Sequence, residues 1–197
     1  IGCRWVYKVK RVYDLGKCVK LFKSRLTAQG FSQKPGVDYN QTFSPVVSYE
    51  TIRILIAIAA ALGLDVDWMD ATSAFTQVAI DRDIYMKQPP CFVDKKRPDY
   101  VCKLQTALYG LKQSSREWNT DVTKKFLDKG YTQLKTEPCV FLDRDGKRCR
   151  LFMDVSADKH KWLIVAVYVD DFLIFCNDED RKNALKRYLS SSFRMKD

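Results

Sequence analysis

The chain has 197 residues, 46% hydrophobic and 13% aromatic, which excludes a disordered polypeptide and leaves room for one sizeable core or two small lobes. Lys and Arg number 34 against 24 Asp and Glu, a net charge of +10. That balance favours a polyanionic partner, nucleic acid above all, with a merely soluble basic surface as the plain alternative. No apolar run reaches the length of a membrane span, and the opening IGCRWVYKVK lacks the apolar core of a secretion signal.

In chain order, 4–13 and 18–28 alternate as two strands around a turn at Gly16, a basic β-hairpin. Residues 30–47 carry Gly, Pro and Asn and read as loop. Ser48 can cap a helix over 49–62 that Gly63 stops. Apolar residues nearly encircle that helix, so burial is expected. LDVDWMD (64–70) alternates as a strand, with Leu64, Val66, Trp68 and Asp70 on one face and Asp65, Asp67 and Met69 on the other. Ser114 and Glu117 have capping-box spacing for a helix reaching Lys129, with Trp118, Val122 and Phe126 on one stripe. Residues 139–153 are a hairpin candidate around Asp145-Gly146, 163–176 make another, and a last helix spans about 179–190. The order predicts an α+β fold with a mainly antiparallel sheet covered by helices on one face.

The seven cysteines, Cys3, Cys18, Cys91, Cys102, Cys139, Cys149 and Cys176, are odd in number and lack C-x-x-C spacing. With His160 as the one histidine, flanked by lysines, they argue for reduced thiols in an intracellular protein rather than an ordinary zinc site.

The chemical anomaly is LIVAVYVDDFLIF (163–175), in which Asp170 and Asp171 interrupt an apolar run. An unpaired buried carboxylate costs several kcal/mol even after relaxation. A solvated turn between two apolar strands would account for the pair. Asp70, in line with large apolar residues at the end of another strand, is a second anomaly of the same kind. If that strand lies beside the hairpin, three carboxylates meet. Oxygen-rich acidic sites suit hard divalent cations, Mg²⁺ first, and paired ions serve phosphoryl transfer.

YVDD (168–171) resembles the signature of reverse transcriptases, and the order of motifs resembles the Ty1/copia retrotransposon type over nearly the whole chain. KSRLTAQGFSQKPGVDYNQTFSPV (23–46), TIRILIAIAA (51–60), WMDATSAF (68–75), DIYMKQP (83–89), LYGLKQSSREW (108–118), YVDD and FRMKD (193–197) follow in family order.

The resemblance implies a single domain over 1–197, the fingers and palm of a polymerase with an antiparallel palm sheet backed by helices. It also implies that thumb and RNase H lie outside the segment. Asp70, Asp170 and Asp171, with the Ala71 carbonyl, would hold two Mg²⁺ or Mn²⁺ ions for attack of a primer 3′-hydroxyl on a deoxynucleotide. Phe75 would stand under the incoming sugar and exclude a 2′-hydroxyl; ordinary core packing is its alternative. Tyr109 and Gly110 would floor the nucleotide pocket, or simply pack, and Lys112 would reach phosphate. Lys23 and Arg25 would bind nucleotide and Lys8, Lys10 and Tyr168 nucleic acid, with a solvated strand face as the alternative for each cation. The implied partners are an RNA or DNA template–primer, dNTP and the rest of a Gag-Pol polyprotein with its integrase and RNase H, in a cytoplasmic virus-like particle and without a membrane.

The chain departs from the family at Trp68, usually Gln, at Ala71, usually β-branched, at AFTQV (74–78), usually AFLNG, and at Ser115, usually Pro. The segment 143–162 is also longer than the family norm. These departures keep open a second reading, a diverged nucleic-acid-binding relic without catalysis.

Overall fold

The structure, a computed structural model, describes residues 1–14, 17–143 and 161–197. The expected turn at Gly16, the Asp145-Gly146 hairpin tip, His160, Cys149 and most of 143–162 lie outside the described residues. The chain divides into two compact units, Ile1–Phe43 with Val78–Glu117 and Ser44–Gln77 with Trp118–Asp197.

The first unit is built on the long antiparallel hairpin of β1 (Cys3–Asp14) and β2 (Lys17–Ala28). A short antiparallel pair, β4 (Tyr85–Lys87) and β5 (Val101–Lys103), was not expected from the sequence, because three-residue strands carry too little alternation. Its core is small: Ala28, Ile84, Met86 and Leu111, with Ile1, Leu26 and Leu108 packed around them. A buried side-chain pair, Gln33 donating to Gln113 at 3.0 Å, adds rigidity, because Gln113 also donates to the Asp38 carbonyl and Gln33 accepts from the Lys112 N–H.

The second unit holds a six-stranded antiparallel sheet in the order β10 (Met195–Lys196), β3 (Asp65–Ala71), β9 (Asp171–Cys176), β8 (Leu163–Tyr168), β7 (Val140–Leu142), β6 (Thr132–Gln133). The helix α1 (Tyr49–Leu62) starts where expected. Ser48 accepts from the Thr51 N–H at 3.1 Å, and Gly63, at φ +62°, supplies the left-handed stop.

Three expectations are corrected. First, α1 is not buried all round: Leu55 and Ala59 are, but Ile54 is 56% and Ile56 50% exposed. A near-continuous apolar surface says that a helix tolerates burial, not that a partner covers every side. Second, helices do not lie on one face only. Strand alternation separates Phe172 and Ile174 from Leu173 and Phe175. Leu55 and Ala59 of α1 share a core with Ile164, Ala166, Leu173 and Phe175. The rings of Trp118 and Phe126, on α2 (Ser114–Asp128), meet Phe172 of the opposite face. Third, the capping box does not form. Ser114 lies within the first turn of α2 and donates its hydroxyl to the Leu108 carbonyl at 2.6 Å, while the Glu117 N–H goes to Gln113. The box spacing was real, but the helix starts one residue early, so the serine falls inside it.

The last helix, α3 (Glu179–Ser192), is capped by Asp178, which accepts from the Arg181 N–H. Among the described residues, no helix is long and apolar enough to cross a membrane.

Trp118, Phe126, Phe141 and Phe172 form an aromatic layer in this unit. Phe126 is 1% exposed and stacks on Phe141 at 4.5 Å with 13° between planes. Phe126→Ala should cost about 3–5 kcal/mol of unfolding free energy. Urea denaturation followed by circular dichroism measures this directly, and a loss under 1 kcal/mol would mean that the layer repacks.

Candidate functional site

The acidic residues are brought together by strand pairing. In the β3–β9 register Asp70 is the cross-strand partner of Asp171, as Trp68 is of Leu173. The Ala71 N–H donates to the Asp170 carbonyl at 2.8 Å, which continues the ladder past the strand end. The β8–β9 connection is two residues, Val169 and Asp170, because Tyr168 pairs with Asp171. Asp70, Asp170 and Asp171 are all half-buried, so the carboxylates sit at a rim and not within the apolar run that frames them in sequence.

The turn itself is strained. Val169 has φ +57°, while Asp170 keeps a negative φ, the pattern of a type II′ turn. Gly is the ordinary occupant of that first position. A β-branched residue there costs of order 1–3 kcal/mol and persists only where its surroundings hold it.

One row of cross-strand partners crosses this end of the sheet: Lys196, Asp70, Asp171 and Tyr168. Direct partners share a face and stand about 5 Å apart. Trp68, two residues before Asp70 on that face, donates its indole N–H to Asp171 Oδ1 at 3.0 Å. The Tyr168 ring lies 5.9 Å from that of Tyr49, their hydroxyls 3.4 Å apart, and this hydrogen bond raises the Tyr168 phenol above its ordinary value. Phe75 is half-buried in the 3-10 turn Ala74–Gln77, next to fully buried Ala74.

The donor set suits a hard divalent cation in kind: carboxylates in register, with the Ala71 backbone beside them. Among the described residues, no three His, Cys, Asp or Glu side chains are gathered into a ready metal-binding group. What the strands assemble is the pair Asp70 and Asp171, with Asp170 adjacent at the turn.

The other expected residues lie in the first unit. Lys8 is paired with Lys23, Val6 with Arg25 and Lys10 with Leu21. The register therefore puts Lys8, Lys10, Lys23 and Arg25 on one face, and Tyr7, Val9 and Phe22 on the other. Lys8, Lys10, Lys23 and Arg25 are all exposed. The Arg25 guanidinium lies 5.7 Å over the Tyr109 ring and Lys112 Nζ 5.5 Å over that of Tyr39. The Tyr109 carbonyl accepts from the Ala28 N–H at 2.7 Å. Gly110 follows at φ +91°, where an added Cβ would meet the Ala28 carbonyl oxygen at 2.2 Å; only glycine permits that approach.

A family model described as reverse transcriptase (RNA-dependent DNA polymerase) matches residues 1–197. The chain belongs to the reverse transcriptase family. Within it, the chain is of the Ty1/copia retrotransposon type. It is 37% identical over its full length to the retrovirus-related Pol polyprotein from transposon RE1 of Arabidopsis thaliana, of which it covers 12%. It is likewise 37% identical over its full length to that from transposon TNT 1-94 of Nicotiana tabacum, covering 14%. The Ty1-DR5 Gag-Pol polyprotein of Saccharomyces cerevisiae is 25% identical over 86% of the chain, which spans 8% of that relative. No solved structure matches the chain.

Three neighbours of the acidic row escaped the reading of the sequence. Lys196 enters only because the two-residue strand β10 pairs beside Asp70. Tyr49 enters because α1 begins beside Tyr168. Trp118 stood on the expected apolar stripe of its helix, but nothing in that stripe shows where its indole N–H points.

Because Asp70 and Asp171 are direct partners, their like charges oppose folding without metal. Asp171→Asn keeps the acceptor for Trp68 and should raise stability by about 0.2–1 kcal/mol in chelator. Urea titration with EDTA reads this; a loss of stability would make Asp171 a structural anchor instead.

Proposed function

We propose that the chain is one fingers-and-palm domain that carries RNA-directed DNA polymerase activity, with Asp70, Asp170 and Asp171 as its catalytic carboxylates. The observation that supports this best is the register of β3 with β9. It makes partners of two aspartates about a hundred residues apart in a chain of the reverse transcriptase family.

Asp70 and Asp171, completed by Asp170 and the Ala71 carbonyl, would hold Mg²⁺ or Mn²⁺. Bound there, a divalent cation supplies Lewis-acid stabilisation of phosphoryl-transfer charge. The rest falls to the chain. The strand pairing fixes where the carboxylates stand before substrate arrives, so little reorganisation opposes the reaction. Tyr168 presents its ring at the end of the same row, where a template–primer base can stack. Phe75 offers a rigid edge that a deoxyribose clears and a ribose does not. Lys23 and Arg25, with Tyr109, Gly110 and Lys112, would bind dNTP, the guanidinium engaging phosphate bidentately. Lys8 and Lys10 would grip template backbone. The partners would be RNA or DNA template–primer and, as in the Pol polyproteins to which the chain is similar, the remainder of a polyprotein; a cytoplasmic particle follows from that reading.

One observation favours the second reading, a non-catalytic relic. The Trp68 indole occupies an oxygen of Asp171, at a position where the family usually has Gln. Primer extension on poly(rA)·oligo(dT) with Mg²⁺ separates the two. Under the polymerase reading Asp70→Asn lowers extension on the order of 10²–10⁴-fold, the several kcal/mol that metal-held charge stabilisation contributes, with the fold intact. Absence of extension by the parent protein would leave the relic.

Binding is tested separately. Removing Lys23 and Arg25 together should reduce the slope of log K against log salt for a DNA template–primer by up to about two units. An unchanged slope would place the phosphate-binding surface outside the hairpin.

A further inference from the structure

Val169 holds a backbone conformation that its own side chain disfavours, and its carbonyl does not face open solvent. The indole N–H of Trp118 donates to that carbonyl at 2.6 Å. Trp118 is 2% exposed, and its ring is fixed between Phe172, 6.5 Å away and edge-on, and Phe193 at 4.8 Å. The donor therefore has little freedom to follow the turn; the turn must come to it.

We infer that Trp118 is a positioning residue. Its indole N–H captures the Val169 carbonyl and so selects the conformation of the turn that presents Asp170 and Asp171.

The alternative state is close at hand. Rotating the peptide between Val169 and Asp170 by about half a turn converts a type II′ turn into type I′, which requires positive φ at both central residues. Asp tolerates that region better than most residues. Valine at the first position gives the type II′ form none of the preference that glycine would. Local sequence therefore leaves the two forms poorly separated, and the buried donor biases one. The peptide plane is rigid, so fixing the carbonyl also fixes the Asp170 N–H and the start of β9. Trp118 touches none of the carboxylates in this role; it acts through the backbone that carries them. The consequence for catalysis rests on the polymerase reading above, whereas the conformational selection does not.

Trp118→Phe keeps an aromatic ring between Phe172 and Phe193 and removes the N–H. The readout is amide hydrogen exchange of Ala71, whose N–H is bonded to the Asp170 carbonyl, with Ile174 in the fully buried part of β9 as the reporter of global opening. Trp118→Phe should speed Ala71 exchange by about tenfold relative to Ile174, the effect of losing one buried hydrogen bond. Val169→Gly restores an intrinsic preference for the type II′ form. In that background Trp118→Phe should change the Ala71 to Ile174 ratio by less than about twofold. Primer extension by Trp118→Phe should then lose kcat with the KM for template–primer unchanged, and Val169→Gly should rescue it. Equal acceleration of both amides, or the same effect in both backgrounds, would overturn the inference and leave Trp118 as packing alone. If Trp118→Phe does not fold, folding of the double variant supports the inference and its failure to fold overturns it. Exchange needs no substrate, so a parent without extension counts only against the polymerase reading.

Discussion

The register of β3 against β9 is the constraint on which the proposed site depends. A slip of one residue would move Asp70 to the opposite face of the sheet, because side chains alternate with a period of two. The register is well specified by what it buries. Met69, between Trp68 and Asp70, is 1% exposed, and its partner Phe172 is fully buried in the aromatic layer with Phe126 and Trp118. The acidic face is thus held in place by the apolar one. The like charges of Asp70 and Asp171 oppose that pairing, and the packing behind them, with the Trp68 indole bonded to Asp171, offsets their repulsion.

The same arrangement explains how one end of the sheet carries polar side chains beside a dry core. β8 and β9 are buried along most of their length; Leu173 is half-buried, and exposure is continuous from Tyr168 to Asp171, where the strands turn. A two-residue connection keeps this rim short, at the cost of a disfavoured φ at Val169. Two tryptophans contact the rim from opposite faces, Trp118 at the Val169 carbonyl and Trp68 at the Asp171 carboxylate. Each supplies a donor without bringing a charge, so neither neutralises the acidic row that a cation would need.

The first unit solves a different problem. Its core is small, and the hairpin extends well past it, with Tyr7 74% and Phe22 80% exposed on one face and Lys8, Lys10, Lys23 and Arg25 on the other. A two-stranded ribbon has no second layer to bury either face. Its persistence rests on the ladder of β1 with β2 and on the anchor at its base, where Ala28 bonds Tyr109 and Gly110 packs against the Ala28 carbonyl.

Much of this was legible in the sequence. The strands of the long hairpin, the limits of α1 from Ser48 and Gly63, the strand that carries Asp70 and the hairpin over 163–176 all follow from short-range physics, alternation and capping; the turn of that last hairpin, expected at or near Asp170-Asp171, falls one residue earlier, at Val169-Asp170, with the left-handed φ on a valine. The family followed from motifs in fixed order. What the sequence could not determine was which surfaces find partners. α1 looks buried and is half open; Ser114 looks like a cap and is not; Lys196, Tyr49 and Trp118 carry no local mark of the site they adjoin. Propensity and periodicity act within a few residues. The pairing of Asp70 with Asp171, the uniting of Lys8, Lys10, Lys23 and Arg25 on one face and the capture of Val169 by Trp118 are set by cross-strand register and by packing between segments far apart in the chain, which only the folded sheet decides.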